Sequence, residues 1–191
     1  MNNVAFCGKA GSGKSILTQH LCKKYGYTHA KMATSVYAIA QQYFGMTKKD
    51  RKLLQTIGSD VGREEYSKNI WVERFLQDTE LVKRTNELLY SKGTYFCADD
   101  IRFKNEAQVL IEEGWKIFYL NVDDKTRISR LGNRDGDAQI NTLNHSSETE
   151  IDEFKDSLIQ IDASGTVEQA IQQLEKYLFV KEEKNESQVP W

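Results

Sequence analysis

Apolar residues along this chain fall into short unbroken runs and longer periodic stretches, in alternation. Val4-Ala5-Phe6-Cys7 runs straight into Gly8, which predicts a buried strand ending in a glycine-rich turn. From Lys14, apolar Ile16, Leu17, Leu21 and Cys22 keep a helical period that Tyr25 and Gly26 close. Residues 28–32 read as a second strand and 35–44 as a helix ended by Gly45. Helices are expected over 48–57 and 70–90, the second stopped by Gly93. Residues 94–98 form the clearest internal strand, which runs directly into Asp99 and Asp100. Helix 105–113, strand 116–122, a helix beginning at 125, strand 158–161 and helix 166–179 complete the series. Thr166-Val167-Glu168-Gln169 has capping-box spacing, and so does Ser147-Glu148-Thr149-Glu150.

Strand and helix alternating around one core imply an α/β fold: a three-layer sandwich with a central parallel sheet of about five strands. The 191 residues fit one domain over 1–180. Within it, a helical insertion over about 34–92 and a lid over about 124–148 are expected. The Gly, Asn, Asp, Ser and Thr content of 132–147 suggests a mobile loop, and 181–191 a frayed tail.

Charge and cysteine content narrow the function classes. Twenty-six Lys+Arg against 28 Asp+Glu leave a net charge of −2, without the broad positive field of a nonspecific nucleic-acid binder, so anion binding must be local. No apolar stretch approaches the roughly 20 residues of a membrane span. Cys7, Cys22 and Cys97 lie in apolar runs without metal or disulfide spacing and read as free thiols. Together with an N-terminus lacking signal-peptide features, they suggest a cytoplasmic protein. No His/Cys/Asp cluster has zinc spacing.

Gly8-Lys9-Ala10-Gly11-Ser12-Gly13-Lys14-Ser15 satisfies G-x-x-x-x-G-K-[ST] between a predicted strand and a predicted helix. Its glycines let successive N–H groups point into one concavity, to which the helix N-terminus adds its positive end. Lys14 can then neutralise the β/γ-phosphates, and the Ser15 hydroxyl can bind Mg²⁺. ATP is thus expected against Gly8, Gly11, Ser12, Gly13, Lys14, Ser15 and Ile16. Such a loop does not choose among NTPase classes. A guanine-reading Asn/Thr-Lys-x-Asp segment is not found in that order, since the nearest string is Asn121-Val122-Asp123-Asp124-Lys125.

Phosphoryl transfer needs cations around the moving group. Arg127, Arg130 and Arg134, three and four residues apart, share a helix face beside the expected loop and suit a closing lid. Arg63 follows Gly58-Ser59-Asp60-Val61-Gly62, which reads as a glycine-punctuated turn, and Arg102 follows Asp99-Asp100-Ile101; both are expected at the carboxyl edge of the sheet, where ligands bind in open α/β folds. Asp99 or Asp100 could hold Mg²⁺, orient a substrate or cap a turn. Trp71 is a candidate for stacking on a base.

These blocks, in order, resemble the nucleoside monophosphate kinase superfamily, and more closely the deoxynucleoside monophosphate kinases of bacteriophages. The resemblance rests on the loop 8–15, on Leu54-Gln55-Thr56-Ile57-Gly58-Ser59-Asp60-Val61-Gly62-Arg63 with Trp71-Val72, and on Asp100-Ile101-Arg102-Phe103-Lys104-Asn105-Glu106-Ala107. His145-Ser146-Ser147-Glu148 and Gly165-Thr166-Val167-Glu168 extend it. It implies transfer of the ATP γ-phosphoryl, with Mg²⁺, to a (deoxy)nucleoside 5'-monophosphate. Lys14 and Arg127, Arg130 and Arg134 would act at the donor, and Asp100 would occupy the family's acidic position. Asp60, Arg63, Trp71, Asp99 and Arg102 would lie near the acceptor, with Ser164 and Gly165 beside adenine. Lys104 and Ser146 stand where the family usually has proline. Two other readings compete: a kinase acting on an alcohol, similar to dephospho-coenzyme A kinase, in which an Asp accepts a proton, and a nucleotide-gated binding protein. The sequence does not indicate an oligomeric state.

Overall fold

A computed structural model describes the backbone of residues 1–135 and 150–179, and the side chains of 1–131 and 150–179. Five parallel strands, β1 (Val4–Cys7), β2 (Thr28–His29), β3 (Phe96–Ala98), β4 (Lys116–Asn121) and β5 (Ile159–Asp162), form one sheet in the order β2-β3-β1-β4-β5. Successive side chains of a strand point to opposite faces, so two cores result. Val4, Phe6, Phe118, Leu120 and Ile161 meet α1 (Lys14–Tyr25) and α7 (Val167–Phe179) on one face. On the other, Ala5, Cys7, Phe96, Ala98, Ile117 and Tyr119 meet α2 (Thr34–Phe44), α4 (Ile70–Tyr90) and α5 (Lys104–Glu112). Covering both faces explains why these strands read as continuous apolar runs.

The connection leaving β1 runs toward β2 at one edge, while that leaving β3 crosses β1 to reach β4 on the other side. Adjacent strands whose connections diverge open a crevice at their carboxyl ends. The glycine-rich loop follows β1 there, and Asp99 and Asp100 follow β3.

Several expected boundaries move for identifiable reasons. Pairing of β2 stops at His29 because Ala30 N–H makes the last bond to Cys97 O, and the next free amides, of Met32 and Ala33, donate to the Asp100 carboxylate instead. The glycine-punctuated stretch 58–62 is helical: α3 (Arg51–Gln55) continues into π-helical turns over Thr56–Tyr66. There Gly62 admits the Trp71 ring, which a Cβ at that position would meet at 2.5 Å, and the Trp71 indole N–H donates to Gly58 O at 2.7 Å. These glycines are contact points, where the sequence suggested chain breaks. Ser91, with φ 48°, caps α4 in place of Gly93. The helix α6 (Asp124–Asp135) runs past the expected loop start at 132.

At the start of α7 the capping box is present: Gln169 N–H donates to Thr166 Oγ1 and Thr166 N–H donates to Gln169 Oε1. The three cysteines are free. No helix among the described residues is long and apolar enough to cross a membrane. The expected loop and lid residues 136–149, including the His145–Glu148 block, and the tail 181–191 lie outside the described residues.

Candidate active site

Three left-handed glycines shape the loop after β1: Gly8 (φ 121°), Gly11 (φ 83°) and Gly13 (φ 98°). Gly8 lies against the β4 backbone, where an added Cβ would sit 2.8 Å from Leu120 O. At Gly11 it would sit 2.9 Å from Arg127 O and 3.0 Å from Leu131 Cγ, so the loop is wedged between β4 and α6. The first turn of α1 starts on Gly13 O, which accepts from Ile16 N–H. Lys14 Nζ curls over the loop and donates to Gly8 O and Lys9 O. Ser12 is buried, with its hydroxyl unpartnered among the described residues, and Ile16 is exposed at the rim.

Across the crevice the two aspartates separate. Asp99 Oδ2 accepts from Ser15 Oγ at 2.7 Å, and Asp99 Oδ1 lies 2.8 Å from His29 Nε2. Burial alone would raise the Asp99 pKa, but hydrogen bonds from Ser15 and His29, aided by the charges of His29 and Lys31, bring it below the ordinary aspartate value. Asp100 instead accepts the amides of Met32 (2.9 Å) and Ala33 (3.1 Å). Burial raises its pKa above normal against those bonds. The resemblance gave the acidic role to Asp100; the geometry gives Ser15 to Asp99 and makes Asp100 the support for the chain entering α2. A hydroxyl and an ionised carboxylate held together are hard oxygen donors of the kind Mg²⁺ takes, so the pair fits that ion.

Of the α6 (Asp124–Asp135) arginines, Arg127 and Arg130 take separate partners. Arg127, 8% exposed, binds Asp124 Oδ1 through Nε and Nη2 at 3.1 and 3.0 Å. Arg130 reaches Ala163 O (3.0 Å) and Gly165 O (3.2 Å), and Asp123 N–H donates to Ser164 Oγ, so α6 grips the β5–α7 loop. Arg134 lies in the last turn of α6, and its side chain is outside the described residues.

Arg63 is paired with buried Glu106 and lies 3.8 Å from the centroid of the Phe103 ring. It is therefore sequestered, whereas the sequence suggested an open anion contact. Arg102 is exposed at the mouth of the crevice, and Asp60 is exposed on the π-helical segment. Trp71, 6% exposed, is core with its indole N–H engaged, which removes it as a stacking surface.

Sequence reading missed His29 and Glu106 as site members. Nothing in the local pattern marked His29, whereas Glu106 stands three residues beyond Phe103, the spacing at which a carboxylate accepts the amide that precedes a helix. Lys9 also escaped notice. Its Nζ lies 3.9 Å from Asp124 and 3.7 Å from Asp152, beside a polar cavity of about 250 Å³ between β4 and the 3₁₀ segment Glu150–Ser157.

No family model matches the sequence, and no curated protein does. Solved structures are similar. One is a gluconokinase from Sinorhizobium meliloti 1021, 14% identical, with a TM-score of 0.51 over 90% of this chain and 88% of that one. A sugar kinase from Janibacter sp. HTCC2649 is 15% identical over 93% and 94%, with a TM-score of 0.49. At this identity the likeness to the gluconokinase is one of fold alone.

Proposed function

We propose that the protein is an ATP-dependent phosphotransferase that moves the γ-phosphoryl group of ATP to a (deoxy)nucleoside 5'-monophosphate, yielding the diphosphate. One observation carries this reading: a loop built on three left-handed glycines holds the Lys14 ammonium over its own carbonyls and sets Ser15 against Asp99 at the divergence of β1 and β3. The loop amides and the start of α1 receive phosphate oxygens. Lys14 exchanges the Gly8 and Lys9 carbonyls for the β/γ-phosphates. Ser15 and Asp99 would hold Mg²⁺, which supplies neutralisation of phosphate charge.

On the donor side, Arg127 and Leu131 back the loop, and Arg130 fixes the loop at Ser164 and Gly165 where adenine would lie. On the acceptor side, Arg102 is exposed, while Arg63 lies over the ring of Phe103 and Glu106 accepts its amide. The helical segment 34–92 would wall the acceptor, and 124–148 would act as the lid. A monophosphate acceptor is largely dianionic near neutral pH and needs no strong base. The sequence blocks around Arg63 and Arg102 support this acceptor class.

A second reading, transfer to an alcohol, is favoured by the ionised Asp99 beside His29, a pair able to take a hydroxyl proton, and by the likeness in fold to a gluconokinase. The test is ATP consumption with Mg²⁺ against ribo- and deoxynucleoside monophosphates, dephospho-coenzyme A and gluconate, with products weighed by mass spectrometry. Diphosphate formation supports the first reading, and a phosphorylated alcohol supports the second. Acceptor-independent or absent turnover sinks both. Lys14→Ala, a charge deletion that leaves the packing of β1 and α1 intact, is the inactive control.

A further inference from the structure

We propose that His29 is a positioning residue for the Ser15–Asp99 pair, holding one carboxylate oxygen of Asp99 so that the other stays on the hydroxyl expected to take the metal ion of the nucleotide. This inference rests on the phosphotransferase reading only as far as metal-assisted nucleotide binding, and the acceptor plays no part in it.

The backbone sets up the contact. β2 and β3 pair in parallel with His29 opposite Cys97, so the strand ends carrying His29 and Asp99 reach the crevice side by side. Ala30 N–H bonds to Cys97 O at 2.9 Å and closes the ladder immediately after His29, fixing the base of the imidazole. The Asp99 side chain is 10% exposed and that of His29 32%, so the carboxylate is enclosed while the ring faces outward over it.

A carboxylate is planar, and its two oxygens move together about one torsion. Anchoring Oδ1 at 2.8 Å from Nε2 therefore determines where Oδ2 sits, and Oδ2 lies 2.7 Å from Ser15 Oγ. The charge of Lys31 also acts on this carboxylate, without a direct bond to it among the contacts that position Oδ1 and Oδ2. With the imidazole removed, the carboxylate loses the anchor on Oδ1 and is free to turn away from Ser15. Partners that orient a ligand without touching the metal govern affinity in this way.

The experiment is equilibrium binding of ADP, with and without Mg²⁺, to the full chain as wild type, His29→Leu and His29→Gln. Leucine removes the nitrogen, whereas glutamine restores an N–H donor of similar reach. We expect Mg²⁺ to tighten ADP binding to the wild type, and His29→Leu to lose about tenfold of that enhancement while binding of ADP alone stays within about twofold. His29→Gln should recover most of the enhancement.

Three results with the variants overturn the inference. They are an unchanged Mg²⁺ enhancement in His29→Leu, an equal loss with and without Mg²⁺, and a His29→Gln variant no better than leucine. Wild-type ADP binding that is indifferent to Mg²⁺ overturns it as well. If the wild type shows Mg²⁺-enhanced binding and the variants follow the expected order, yet no acceptor is phosphorylated, the transferase reading falls and the role of His29 stands.

Discussion

The guanidinium of Arg63, carried on the π-helical segment, pairs with the carboxylate of Glu106 in the first turn of α5, and the same carboxylate accepts the amides of Arg102 (2.9 Å) and Phe103 (3.1 Å). One fully buried acid thus ties the helical insertion to the loop that presents Arg102. Burial pushes its pKa up, while the charge of Arg63 and the two amides oppose the shift.

Breaking a buried pair from one side leaves an uncompensated charge. Glu106→Gln keeps an acceptor for the amides but strands Arg63, and should lower the unfolding free energy by about 3 kcal/mol in denaturant titrations. A loss below about 1 kcal/mol would show that the pair contributes little to the fold.

Gly11→Ala and Gly45→Ala share a left-handed backbone and differ in surroundings. At Gly45 (φ 65°) nothing lies within 4 Å of the added methyl, so only the conformational cost of about 1 kcal/mol applies. At Gly11 the methyl meets Arg127 O at 2.9 Å, so the loop and α6 must part. We expect Gly11→Ala to lose nucleotide binding as well as stability, read by ATP titration and thermal unfolding side by side. Equal behaviour of the two variants would refute the wedge.

Asp99→Asn and Asp100→Asn should separate cleanly. Asp100→Asn weakens the support of the Met32 and Ala33 amides and should cost about 1 kcal/mol of stability with modest effect on turnover. Asp99→Asn keeps the shape but removes a charge and a base. With an alcohol acceptor, kcat should fall by about a thousandfold; with a monophosphate, the loss should be smaller and should appear mainly as a higher Mg²⁺ requirement. Single-turnover rates over a Mg²⁺ series distinguish the two.

Glu175 on α7 accepts from Lys24 at 2.7 Å, and from His20 and Tyr25 at 2.8 Å each, all on or at the end of α1. These bonds, that from Lys24 foremost, hold its pKa down at about 2, against an ordinary value of 4.5. A depressed carboxylate stabilises the fold above its unfolded value, and that contribution is lost as the pH falls through the folded one. Wild-type stability should therefore decline more steeply between pH 4.5 and about 2 than that of Glu175→Gln. Parallel acid-unfolding curves would contradict the assignment.

Local pattern made much of the fold legible. The unbroken run 4–7, the Gly26 and Gly45 stops and the Thr166 cap each act through neighbouring residues, and each reappears in the structure. What sequence missed depends on partners far along the chain. Gly62 suggested a break because its neighbour is Trp71, nine positions on, and His29 showed nothing because its meaning comes from Asp99, seventy positions away. Arg63 suggested a phosphate ligand for the same reason: its carboxylate partner lies 43 residues downstream.

The alternation of side chains across β1 and β4 has a consequence for how such a protein diversifies. Ile57, Trp71, Ile101 and Val36 belong to one core, whereas Leu17, Leu21 and Ala163, beneath α1 and the β5–α7 loop, belong to the other. A five-stranded partition stands between them. Substitutions that remodel one wall repack on their own side of that partition, so on the proposed function the acceptor wall can change while the loop proposed to grip the nucleotide keeps its packing.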